Sequence, residues 1–138
     1  MKSKRGMTLI ELMIVILIVG IIAAIAIPIM RGRIDSAKWS EASRTAGTIK
    51  RAVRTYMVEH GDRKNFQVLN GALNEQSVYK KLGFNSKDLN GSYFYQGDYQ
   101  IKNVTANPPS CVVEVQSSHA DGPSGIGTLD VNGNWTVN

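Results

Sequence analysis

Residues 12–27 read LMIVILIVGIIAAIAI and contain no polar side chain. No other feature constrains the fold as strongly. At ~1.5 Å per residue, a helix over residues 7–30 measures roughly 35 Å, enough to cross a bilayer core of ~30 Å. The chain therefore meets a membrane at some stage. The remainder of its 138 residues suffices for one modest domain. A lone carboxylate, Glu11, stands at the head of the apolar run. Within a membrane segment such a charge costs about 3 kcal/mol on insertion scales, and it marks a function or a partner.

Charge and cysteine content exclude several classes. The formal net charge is +5, but Lys2, Lys4 and Arg5 supply three of the 16 basic side chains, leaving 13 against 11 acidic ones. Without those three, the balance of +2 is no electrostatic footprint for nucleic acid. One cysteine, Cys111, allows no internal disulfide and no cysteine cluster for zinc or iron–sulfur.

Three readings compete for the amino terminus. A cleaved secretory signal has the basic start, the apolar stretch and an A-x-A triplet at Ala24, Ile25 and Ala26. The apolar run is long for that role, and Glu11 intrudes before it. An uncleaved signal anchor places the basic end in the cytoplasm, a bias that Arg31 and Arg33 weaken without reversing. It leaves Glu11 unexplained.

The third reading uses every residue of the opening. KRGMTLIELMIVILIVGIIAAIAIP closely resembles the amino terminus of type IV prepilins and of the related pseudopilins of type II secretion. The resemblance implies that residues 1–6 are a leader. A membrane prepilin peptidase would cut between Gly6 and Met7 on the cytoplasmic side and then N-methylate Met7. Glu11 then becomes the fifth residue from the cut, where that family carries its glutamate. Thr8, Leu9 and Ile10 fit the intervening pattern, and Gly20 and Pro28 match landmarks of the family's membrane helix. Short-leader members mostly begin the mature chain with Phe; Met7 is the departure.

Cleavage exposes an α-amino group at Met7, about one helical turn or ~6 Å from Glu11. The family picture pairs Glu11 with the Met7 amine of a neighbouring subunit. An unpaired charge in an apolar bundle is heavily penalised and a paired one is tolerated, so the pair acts as a register device. Gly20 lowers helix propensity, and Pro28 lacks an N–H and crowds the turn around Ala24. The helix is thus expected to kink or unwind most easily between them; in related pili that stretch melts on assembly.

From residue 31 the pattern becomes amphipathic. Ile34, Ala37, Ala42, Ala46, Ile49, Val53 and Met57 recur at three- to five-residue steps. Arg31, Arg33, Lys38, Arg44, Lys50, Arg51 and Arg54 decorate the rest, a pattern that reads chiefly as a solvated face, with subunit or DNA contacts as the alternatives. One helix is expected over about 8–59, stopped at Gly61 and Asp62. Residues 61–90 read as a connecting loop region with a short helix near 77–82. From residue 91, SYFYQ, YQIKNV, CVVEVQS, GTLDV and NWTV read as strand candidates, and Asn132-Gly133 signals a hairpin. With the resemblance, the pattern implies an α+β fold class, a pilin fold. A long helix comprises a membrane or filament-core half (7–30) and an amphipathic half (31–60), the latter packed on an antiparallel sheet of about four strands (91–138).

No catalytic constellation stands out, and no cofactor or metal is expected. His60 and His119 are isolated, and Cys111 reads as a small buried residue. Residues 130–134, DVNGN, offer oxygen ligands, but the glycine comes fourth where an EF-hand loop needs it sixth. A hairpin turn explains them better. The resemblance implies a structural subunit of a type IV pilus, not an enzyme. It would sit first in the bacterial inner membrane, amino terminus in the cytoplasm, and then in an extracellular filament. Its partners would be copies of itself, the prepilin peptidase and an inner-membrane assembly platform; nucleic acid enters only through DNA uptake. A type II secretion pseudopilin in a periplasmic filament and a minor pilin are the alternatives within the family. A membrane-anchored or secreted binding domain is the alternative outside it.

Overall fold

A computed structural model describes residues 6–61 and 65–138. Of the expected leader, residues 1–6, only Gly6 is among them, and Asp62 of the expected helix stop lies outside them. The chain divides into two compact units, Met1–Ser36 and Ala37–Asn138. One helix, α1 (Leu9–His60), supplies residues to both. Gly61 follows it with φ 57°, a left-handed conformation that glycine adopts without steric cost.

In the first unit, α1 is apolar all round over residues 12–30, and its large side chains there are exposed, Leu12 at 50% and Met30 at 60%. Among the described residues, α1 is long and apolar enough to cross a membrane. The helix is unbroken through Gly20 and Pro28.

In the second unit, α1 buries Trp39, Ala42, Ala46, Ile49, Val53, Tyr56 and Met57. These steps of three and four residues make one stripe. Ile34 and Ala37, expected on the stripe, are exposed, because the buried face begins at Trp39 and they fall outside its phase. Trp39 and Tyr56 take positions that the sequence pattern leaves out.

The stripe shares one core cluster with an antiparallel sheet of five strands in sequential order. They are β1 (Gly71–Ala72), β2 (Tyr99–Ala106), β3 (Pro109–Val115), β4 (Gly127–Leu129) and β5 (Trp135–Val137). Tyr99 and Ile101 of β2 point inward. The register then shifts between Lys102 and Thr105, with Asn103 at φ 50°, and Val104 becomes the next buried residue. One extra residue in the ladder reverses the period-two alternation. Cys111, Val113 and Val115 of β3 and Leu129 of β4 complete the inner face. Trp39 packs against Phe94 at 5.4 Å and Trp135 at 6.1 Å between ring centroids. Gly127 lies beneath the rings of Trp39 and Trp135, where a methyl group would collide with both.

The expected strand SYFYQ does not form. Its backbone groups bond to loops and to the helix instead: Tyr93 N–H donates to Glu41 Oε1 (3.1 Å), and Tyr95 N–H donates to Asp98 Oδ2 (2.8 Å). Gln96 is buried; its Nε2 donates to the Leu73 carbonyl (2.8 Å) and its Oε1 accepts from Leu89 N–H (3.2 Å). A buried glutamine that ties two loops together outweighs the β propensity of the aromatics before it. The place at the sheet is taken by β1, from the region read as connecting loop, with Gly71 opposite Ile101. The short helix α2 spans Gln76–Tyr79.

Candidate functional site

The start of α1 is built within residues 6–11. Gly6, Met7 and Thr8 precede the helix and are exposed, so the Gly6–Met7 peptide bond is accessible. Thr8 is the N-cap. Its N–H and its hydroxyl both donate to Glu11 Oε2, at 2.8 and 2.9 Å, and Glu11 N–H donates back to Thr8 Oγ1 at 3.3 Å. This is a capping box, in which two orphan donors of the first turn are satisfied reciprocally. The carboxylate also sits where the helix dipole favours negative charge.

Glu11 therefore has a local partner in the uncut chain. Met7 nitrogen is still an amide, so the Met7–Glu11 charge pair has no cationic member in the uncut chain. Thr8 is the residue that sequence reasoning undervalued. The signal was present as T-x-x-E ahead of an apolar run. Glu11 Oε1 makes no hydrogen bond among the described residues. One oxygen of the carboxylate is held and the other is open to a second donor.

Gly20 and Pro28 both lie inside α1, and a methyl group added at Gly20 would meet nothing within 4 Å. Together these residues put an accessible Gly6–Met7 bond, a capped carboxylate and an exposed apolar helix in sequence along one segment.

The other candidates are absorbed by structure. His60 Nδ1 lies 2.8 Å from the Tyr56 carbonyl and its ring stacks on Tyr56 at 4.1 Å. His119 Nδ1 accepts from Asp121 N–H at 3.1 Å. Cys111 is buried at the second position after β3 opens, and burial pushes its thiol up to about 11. Asp130 Oδ1 accepts from Asn134 N–H at 2.8 Å, and that bond holds its carboxyl below the usual range. Gly133 N–H closes the turn onto the Asp130 carbonyl at 3.1 Å, with Gly133 at φ 92°, so residues 130–134 form the β4–β5 hairpin. That geometry is a type I turn followed by a glycine bulge, a three-residue loop. Among the described residues, no three His, Cys, Asp or Glu side chains gather as a metal site would need.

Residues 1–27 match the family model of the prokaryotic N-terminal methylation motif. The chain is 48% identical over 60 residues to the fimbrial protein EcpC of Eikenella corrodens, which covers 44% of this chain and 39% of that protein. It is 50% identical over 58 residues to the type IV major pilin protein PilE of Neisseria gonorrhoeae, covering 42% and 35%. A fimbrial protein of Neisseria meningitidis is 49% identical over 59 residues, covering 43% and 35%. The match spans little more than a third of these relatives' own length. A methylation motif placed over the accessible Gly6–Met7 bond, a capped Glu11 and an exposed apolar helix identify the amino-terminal segment of this chain as that of a type IV prepilin, carried on an α+β, pilin-like fold.

Proposed function

We propose that the chain is a structural subunit of a type IV pilus. A prepilin peptidase cuts between Gly6 and Met7 and methylates the new amino terminus. The subunit waits in the inner membrane on residues 7–30, and an assembly platform then moves it into a helical filament whose core is that same segment. Glu11 receives the Met7 amine of a neighbour, which sets the axial stagger. The carrying observation is the all-round exposure of the large apolar side chains of residues 7–30, headed by a single pre-oriented carboxylate. Lipid is as apolar as these side chains, so hydrophobicity adds little to helix association in the membrane and Glu11 can dominate specificity. Outside the membrane the exposed side chains need one another, since a face of that size cannot remain in water. Gly20 and Pro28 supply the segment that unwinds on assembly.

The test is terminal sequencing of the mature protein together with Glu11→Ala. N-methyl-Met7 is expected, and Glu11→Ala should insert normally into the membrane while filaments fail or lose register. A mature start at Ile27, an intact Met1, or unchanged filament yield in Glu11→Ala would overturn the reading.

A further inference from the structure

The apolar run of α1 ends at Met30, and the next turn carries Arg31 and Arg33. Both are exposed, and neither has a hydrogen-bond or ion-pair partner among the described residues. The one acid within two turns of them, Asp35, already has a partner. From Leu9 to Arg31 the helix rises ~33 Å. With Leu9 at one face of a bilayer core of ~30 Å, the two arginines emerge at the other. With the amino terminus in the cytoplasm, that is the translocated side, where lysine and arginine are disfavoured. Their place there calls for a contact that offsets the cost of carrying them across.

Their spacing selects the kind of contact. Residues two apart on a helix are turned by about 200°, so Arg31 and Arg33 leave nearly opposite sides of α1. They do so at almost the same depth, ~3 Å apart along the axis. A single docked protein surface reaches one of them, whereas lipid headgroups ring the helix and reach both. The same segment of a second copy offers no free acid either. Among residues 6–36 its carboxylates are Glu11, whose open oxygen the proposed assembly gives to an amine, and Asp35, which is engaged. A guanidinium presents a planar fork that matches two phosphate oxygens at once. In a zwitterionic headgroup the phosphate already carries a tethered cation. In an anionic phospholipid it does not, and the guanidinium meets no competitor.

We infer that Arg31 and Arg33 form a collar that binds the phosphates of anionic phospholipids in the leaflet facing away from the amino terminus. The collar fixes the depth of α1 and so holds the Gly6–Met7 bond at the opposite face. This rests on the membrane-held state of the proposed function. The full chain, amino terminus intact, is reconstituted in phosphatidylcholine vesicles with a trace of acyl-chain dansyl lipid, either phosphatidylglycerol or phosphatidylcholine. Energy transfer from Trp39 and Trp135 then compares the two headgroups around one helix. Wild type should enrich phosphatidylglycerol by about fivefold for each arginine at low salt. The enrichment should shrink between ~50 and ~500 mM salt as the Debye length falls. Arg31→Gln and Arg33→Gln should each lower the ratio of transfer, and the double variant should bring it most of the way to one. Glutamine is as good a helix former as arginine, and neither arginine has a partner to lose, so circular dichroism should not change. Equal transfer to both lipids in the wild type, or a ratio that the substitutions leave unchanged, would overturn the proposal. Variants with an unchanged ratio that no longer assemble would assign the arginines to a neighbouring subunit instead. Transfer to neither lipid, with the chain released by alkaline carbonate, would overturn the membrane-held state and the proposal with it.

Discussion

The double substitution Gly20→Ala/Pro28→Ala probes the weak segment of α1 with a magnitude set by its structure. The helix runs unbroken through both positions, and a methyl group at Gly20 meets nothing within 4 Å, so neither change introduces a clash in the subunit. Replacing the glycine strengthens the helix by ~1 kcal/mol, and replacing the proline by ~3 kcal/mol, because a missing hydrogen bond and a crowded turn are both repaired. Their sum of ~4 kcal/mol lowers the ratio of unwound to helical segment by about a thousandfold. Hydrogen exchange on assembled filaments reads that ratio amide by amide. Wild-type filaments should exchange faster over residues 20–28 than in the flanking turns, and the double variant should restore protection or fail to assemble. Wild-type filaments protected equally along the whole segment would refute the reasoning. So would a double variant that assembles with an unchanged exchange pattern.

Two further predictions concern single side chains. Burial pushes the Tyr99 hydroxyl up to about 12, against the opposing hydrogen bond to Thr45. A raised folded value means that this contribution is fully present below pH ~10 and is lost as pH climbs through about 12. Urea denaturation should show a decline on the order of 3 kcal/mol over that window, largely abolished in Tyr99→Phe. Thr8→Val removes the hydroxyl that holds Glu11 Oε2 and caps Glu11 N–H, while Thr8→Ser keeps both bonds. Filament yield should fall in the valine variant and recover in the serine variant, with membrane insertion equal in all three; equal yields would deny Thr8 any part in positioning Glu11.

How much of this was legible beforehand depended on whether a feature was written in local pattern or in long-range pairing. The long helix followed from an apolar run continued by a 3.6-residue stripe, and its observed span, Leu9–His60, differs by one residue at each end from that expectation. Four strands were readable as β-branched runs between turn residues. β1 was not, because two residues, Gly71 and Ala72, carry no strand pattern and pair with β2 only once residues 73–98 fold back between them. SYFYQ failed for the opposite reason: its aromatics have strand propensity, but Gln96 commits the segment to Leu73 and Leu89. The position of Trp39 at the head of the stripe depends on Phe94, Trp135 and Gly127, which come together only in the folded unit. At the amino terminus the motif named Gly6, Met7 and Glu11 without geometry. The cap by Thr8 was encoded three residues before Glu11, yet it became specific only with measured donors.

That cap changes what the Glu11 charge would have to accomplish in the proposed assembly. A capping box made through the Met7 amine would be destroyed by methylation or by recruitment of the amine to another subunit. This one is made through the Thr8 amide and hydroxyl, neither of which the proposed cleavage between Gly6 and Met7 would remove. On the proposed route the carboxylate is oriented before an intersubunit partner would exist, and the bonds that orient it do not involve the Met7 nitrogen. With Oε2 occupied by Thr8, Oε1 remains as the acceptor for an incoming ammonium. Pre-orientation reduces the side-chain entropy lost when the pair forms, and the charge-assisted bond is stronger for being made in a dry, apolar surrounding. A subunit arriving one turn out of register would meet neither a free rotamer able to follow it nor water to solvate the mismatch. The apolar helix supplies the adhesion in this scheme, and the four residues from Met7's neighbour Thr8 to Glu11 supply the ruler.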